Sequence, residues 1–254
     1  MLKSQLITIV LLLLFFSNLA NVSAQLSEPV FLKMDYLSIP ASEESDVKTG
    51  NLISDLEDKL DRELITGWSL YKVVAGESEN AYNYVAIYNV EEFGDIDQIL
   101  TLDTTSEGPV PSVKFSELWQ RDHVILPDDQ QNPGGNYLTI NYFDSRGGTG
   151  EHEEMEVDFW GAIHEIRIAE NILNSWGMYT LLYPGGMALD YTYATIDFYN
   201  EPADMREPVG MELAAKAHTG LSEDELSEYF ERTADSRSGY KSELWRKLDS
   251  NFAD

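Results

Sequence analysis

Glu156, Trp160, His164, Arg167 and Asn171 follow one another at intervals of four, four, three and four residues. On a helix those intervals put all five side chains on one flank. Imidazole, guanidinium and carboxylate side by side suit acid–base chemistry. His164 would be a general base or a metal-type ligand, Arg167 a partner for an anion or oxyanion, and Glu156 the carboxylate that orients them. Trp160 and Asn171 would touch a ligand from the same flank, and Trp176, Tyr179 and Tyr193 would add an aromatic wall around a small organic molecule. The competing reading is structural: a surface flank supported by i, i+4 pairs, with tryptophans that fill core.

Other constellations carry less chemistry. His152 stands in the acidic run Glu151-His152-Glu153-Glu154, twelve residues before His164, which matches no metal spacing and reads as a solvated helix start. No metal site is expected. Arg146-Gly147-Gly148-Thr149-Gly150 lacks the Lys-Ser or Lys-Thr that completes a phosphate loop. With no cysteine and no G-x-S-x-G elbow, nucleophilic hydrolysis has little support.

The elements that must position these residues are written in an internal repeat. Met34-Asp35-Tyr36, Gly67-Trp68-Ser69-Leu70-Tyr71, Tyr82-Asn83-Tyr84-Val85-Ala86-Ile87 and Ser116-Glu117-Leu118-Trp119 are followed, in the same order, by four counterparts. These are Ile140-Asn141-Tyr142, Ser175-Trp176-Gly177-Met178-Tyr179, Tyr191-Thr192-Tyr193-Ala194-Thr195-Ile196 and Ser242-Glu243-Leu244-Trp245. A period near one hundred residues fits a duplicated domain rather than a solenoid. Each copy reads as βαββαβ. Alternation marks half-buried first strands at 31–39 and 137–143, and helices are expected over 47–64 and 153–173. The second of these carries the apolar stripe Met155, Phe159, Ala162, Ile163, Ile166 and Ala169. A hairpin follows in each copy, then a short helix near 95–100 or a longer one at 222–237, and each Ser-Glu-Leu-Trp is assigned to the closing strand. The offset between copies places Lys48, Leu52, Leu56 and Lys59 opposite Glu156, Trp160, His164 and Arg167, so only the second copy is chemically equipped. The second copy also carries an insertion at 201–221, read as surface decoration, a pocket lid or a dimer contact.

Composition bounds the rest. Lys3, the apolar run 6–16 and Val22-Ser23-Ala24 form an export signal over 1–24, too short in its apolar part to span a bilayer. A soluble periplasmic or extracellular protein without a stable membrane anchor is expected. Its domains would be 25–126, a linker 127–136, and 137–254. Loss of Lys3 leaves 16 basic against 45 acidic residues, which disfavours nucleic acid as a partner.

The repeat, its spacing and the Trp-x-x-Tyr second strand resemble the dimeric α/β-barrel superfamily of ferredoxin-like domains. That superfamily includes antibiotic-biosynthesis monooxygenases, NIPSNAP-like proteins and the chlorite dismutase and dye-decolourising peroxidase group. The resemblance implies an α+β fold of two tandem ferredoxin-like units packed sheet to sheet as an intramolecular pseudo-dimeric barrel. It implies a small organic ligand and, as one reading, a cofactor-independent monooxygenase or isomerase acting on an apolar or aromatic substrate. Haem held by a histidine is the alternative the chlorite dismutase group implies, although the residues around His164 depart from that group. A non-catalytic binding or assembly module, including a homo-oligomer, is the third reading. No cofactor is favoured.

Overall fold

The computed structural model describes residues 30–43, 51–76, 81–90, 94, 112–145, 149–184, 190–206 and 209–252. The export signal, the helix expected near 95–100, the first residues of the helix expected from 47, and glycines 147, 148, 185 and 186 lie outside the described residues. The first half comprises β1 (Val30–Ser38), α1 (Asn51–Asp61), β2 (Gly67–Ala75), β3 (Tyr84–Val90) and β4 (Ser112–Ile125). The second begins with β5 (Tyr137–Ser145), α2 (Thr149–Glu154), a π-helical segment (Met155–Trp160) and α3 (Gly161–Ala169). It ends with β6 (Ser175–Tyr183), β7 (Tyr193–Tyr199), α4 (Met211–Ala217), α5 (Glu223–Ser236) and β8 (Arg237–Phe252).

All the strands close into one antiparallel barrel in the order β1-β3-β2-β8-β5-β7-β6-β4. Around the ring, the first half runs β4-β1-β3-β2 and the second β8-β5-β7-β6, one arrangement of places used twice. The halves join edge to edge, β2 on β8 and β4 on β6, so the sheets expected to pack on each other are opposite walls of a single barrel. Strand length is the reason. At 14 and 16 residues, β4 and β8 are long enough to pair within their own half and across to the other, and among the described strands closure leaves no edge unpaired.

Period-two alternation sends Leu32, Met34 and Tyr36 of β1, and Leu138, Ile140 and Tyr142 of β5, into the barrel. Outward side chains of the first half, such as Phe31 and Leu37, pack under Leu52 and Leu56 of α1. The first strand is therefore buried on both faces rather than half-buried, and Lys33 and Asp35 are sealed together on its outer side.

The segments α2, π and α3 run on as one helix, since the residues at both junctions are helical. In the π segment Gly161 N–H donates to the Glu156 carbonyl, a bond to the fifth residue back. One extra residue in a turn rotates everything downstream by about 100° relative to an ideal helix. Met155, Phe159 and Ile163 are buried as the stripe requires, but Ala169 is exposed, and His164 and Arg167 take the buried positions. The helix α5 begins at a capping box in which Ser222 and Glu225 exchange hydrogen bonds. Among the described residues no helix is long and apolar enough to cross a membrane.

Candidate functional site

The flank seen in the sequence is kept in part: the Arg237 that pairs with Glu156 also stands 5.8 Å over the Trp160 ring, and that ring lies 6.3 Å from the ring of His164. Glu156, at the start of the π segment, pairs with Arg237 at the beginning of β8 and lies 3.5 Å from the Tyr193 hydroxyl. Trp160, at its end, turns to α5, where its indole N–H donates to Thr233 Oγ1 at 3.2 Å. His164 and Arg167, three apart on α3, face the outer side of β6 and β7. Asn171 lies past the end of the helix: it is exposed, with a left-handed backbone at φ of 59°. Tyr179 is also separated from the proposed aromatic wall. Trp176 and Tyr193 lie in the outer layer, whereas Tyr179, an odd number of residues from Trp176, points into the barrel. His152, expected to be solvated, is buried with its ring centroid 4.3 Å from that of Tyr193, because the sheet end covers the first turn of α2.

The centre of the outer site is a buried cluster of His164, Arg167, Trp176, Asp197 and Tyr199. The His164 ring stacks on Trp176 at 5.0 Å and 17°. Arg167 Nη1 lies 3.2 Å from His164 Nδ1 and 3.6 Å from Asp197 Oδ1, and Nη2 donates to the Tyr199 hydroxyl at 3.2 Å. Arginine is only a donor, so His164 Nδ1 accepts, and a neutral ring carries its proton on Nε2. Burial, and then the neighbouring guanidinium, lower the His164 pKa well below the ordinary histidine value. As it stands His164 has no free basic nitrogen facing Arg167. Burial raises the Asp197 carboxyl, while Arg167 opposes the shift. Sequence reading missed Asp197 and Tyr199. The available signal was that Asp197 alternates outward with Tyr193 and Tyr199 on one strand.

A crevice of about 570 Å³ opens beside this cluster, with Arg167, Glu170 and Ile172 on one side and Met211, Leu213 and Lys216 of α4 on the other. The insertion thus supplies one wall of a concavity that reaches Arg167. Lys216 ties the walls together through an ion pair with Glu170. Among the described residues no group of three metal-ligating side chains converges.

The barrel interior holds a second polar cluster that the sequence reading used only as topology. The glutamates of both Ser-Glu-Leu-Trp segments point inward. Glu117 accepts from Tyr36 at 2.6 Å, from Trp119 Nε1 at 3.1 Å and from Tyr191. Glu243 accepts from Tyr82 at 2.6 Å, from Trp245 Nε1 at 2.8 Å and from Lys241 at 3.2 Å. The Tyr36 and Tyr142 hydroxyls, 3.0 Å apart, join the halves. One difference breaks the symmetry. Phe115 stacks on Tyr36 at 4.2 Å, while Lys241, in the same place before the other Ser-Glu-Leu-Trp, holds its ammonium 4.3 Å over Tyr142. A carboxylate two residues before a tryptophan puts acid and indole on one face of a strand, which was the legible clue.

No family model matches the sequence, and no curated protein matches it significantly. Solved structures do match the fold. An anthrone oxidase-like protein superposes with a TM-score of 0.50 at 13% identity, over 91% of this chain and 96% of that one. A haem-binding protein from Thermus thermophilus gives 0.51 at 10% identity, over 88% and 92%. A candidate chlorite dismutase gives 0.50 at 10% identity, over 88% and 96%. This chain shares its fold, a closed antiparallel barrel with helices on its outside, with those proteins. Identities this low speak for the fold alone, and chemistry has to be argued from this chain's own residues.

Proposed function

We propose that this chain is an exported small-molecule-binding α/β barrel whose ligand seats in the crevice between α3 and α4 with Arg167 at its inner end. The observation that carries the reading is the concavity itself. Its volume lies in the range of small-ligand sites, and it reaches a buried cation held by His164, Asp197 and Tyr199. Ile172, Met211 and Leu213 suit an apolar or aromatic body, and the guanidinium suits an enolate or phenolate oxygen. The reaction class that this arrangement serves is cofactor-independent oxygenation or isomerisation, in which Arg167 stabilises a substrate oxyanion. Export rests on the leader residues, and the repeated strand order supports reading 25–126 and 137–254 as copies.

The residues around His164 do not fit haem. Its Nδ1 is occupied by Arg167, its ring lies against Trp176, and the crevice is lined by Arg167 rather than by His164.

The test is a calorimetric and thermal-shift screen of phenols, aromatic carboxylates, anthrone and hemin. Gly210 lines the crevice, and a Cβ added there would meet nothing within 4 Å, so Gly210→Trp attaches an indole at the crevice with no clash at its Cβ. Binding of a phenol or anthrone by the wild type and its loss in Gly210→Trp, at unchanged melting temperature, is the expected result. Binding that survives Gly210→Trp, or binding of hemin alone, would sink the assignment.

A further inference from the structure

Inside the barrel, oxidisable rings form a continuous path to the surface, independent of the crevice. Tyr240, 45% exposed, has its ring 5.4 Å from that of Tyr191. Tyr191 lies 4.9 Å from Tyr142 and is stacked at 2° over Trp119 at 6.1 Å. Tyr142 meets Tyr36 hydroxyl to hydroxyl at 3.0 Å, and Tyr36 continues to Tyr82 at 4.7 Å and Trp245 at 6.3 Å. Three phenols along this path, Tyr191, Tyr36 and Tyr82, already donate to a buried carboxylate, Glu117 or Glu243.

That pairing has a specific chemical use. Removing an electron from a phenol leaves a strongly acidic radical cation, and a positive radical in a dry interior is costly. A carboxylate already hydrogen-bonded to the phenol takes the proton as the electron leaves, so neither product carries a new charge. We propose that the barrel interior is a one-electron redox site, in which a one-electron oxidant meeting the Tyr240 end of the path draws an electron from Tyr191 while the Tyr191 phenolic proton moves to Glu117. The oxidant is reduced by one electron, Tyr191 becomes a neutral phenoxyl radical, and Glu117 becomes a neutral acid without any heavy atom moving far. Burial already pushes the Glu117 pKa upward, against the hydrogen bonds that hold it down, so the protonated product suits its surroundings. Tyr36, which donates to the other oxygen of Glu117, exchanges with that radical in turn: its electron passes to Tyr191, its proton to Glu117 Oε2, and the proton on Oε1 returns to Tyr191. The chain contains no cysteine to drain it.

The probe is hexachloroiridate(IV), mixed with the whole protein, freeze-quenched and read by electron paramagnetic resonance. Tyr183, 66% exposed and outside this path of rings, is the control for accidental surface oxidation. The wild type is expected to give a persistent tyrosyl signal that Tyr183→Phe keeps and that Tyr191→Phe and Glu117→Gln lose. Absence of the signal in wild type, its retention in both interior variants, or its loss in Tyr183→Phe overturns the proposal. Circular dichroism checks that the interior variants fold. Should they not, Tyr240→Phe, which changes one surface hydroxyl, decides the matter: slower radical formation supports the path, and an unchanged rate refutes it.

Discussion

Replacing Arg167 by leucine tests whether the outer cluster is held by charge. Asp197 keeps 16% of its side-chain exposure and sits 3.6 Å from Arg167 Nη1, with its Oδ1 making no hydrogen bond. Removing one partner of a buried ion pair costs about 3–5 kcal/mol, because the other charge is left unpaired. The residual exposure of Asp197 and the length of the contact place this pair at the lower end, about 3 kcal/mol. In a chain of this size that corresponds to a melting temperature lower by about 6–12 °C. The sign of the pH dependence follows. Burial holds the Asp197 carboxyl above its unfolded value, so the folded state binds more protons there and stability falls as pH rises from the ordinary carboxylate range to the folded value. Losing Arg167 removes the opposing influence and extends that window upward. The deficit of Arg167→Leu should therefore be largest at neutral pH and should shrink on acidification. Thermal unfolding followed by circular dichroism at several pH values measures both effects. The double variant Arg167→Leu/Asp197→Asn should recover most of the loss at neutral pH. A deficit below about 1 kcal/mol, the range of an exposed pair, or one independent of pH, would refute the reasoning.

Three further outcomes are expected. Burial keeps His164 neutral, so the unfolded chain takes up a proton there that the folded one refuses; stability should decline as pH falls below about 6.5, and His164→Gln should flatten that slope in urea midpoints. Ser222→Ala removes the side chain that caps α5 and should cost about 1 kcal/mol, read as a small shift of the urea midpoint. Asn171→Gly should be tolerated in thermal melts, whereas Asn171→Val, forced to positive φ, should cost about 1–2 kcal/mol.

How far the sequence could be read depended on the range of the interaction involved. Alternation and repeat fixed strand identity at Phe31, Tyr142 and both Ser-Glu-Leu-Trp segments, because a strand's period is local and its faces are either apolar or not. The helix carrying His164 was legible in the same way, as was the start of α5 at Ser222, since caps and stripes are written within a few residues. What lay beyond local reading was the phase of that helix: a π turn between Met155 and Trp160 shifts the residues after it, so that Glu156 meets Arg237, Trp160 meets Thr233 and His164, and Arg167 meets Asp197 and Tyr199. Tyr179 and Asn171 were misplaced for related reasons, one by strand parity and the other by a helix that ended early.

By itself, then, the sequence determined the strands, the helices that carry Leu52, His164 and Leu226, and their order, since each rests on side-chain periodicity along the chain. Only the tertiary structure decided that β4 and β8 bridge the halves into one barrel, and that Asp197 and Tyr199 complete the Arg167 cluster. It also set Glu117 and Glu243 among interior phenols and brought the insertion helix against α3. Those arrangements join residues tens to hundreds of positions apart, and they are selected by closure of the barrel and burial of its aromatic rings rather than by any local preference.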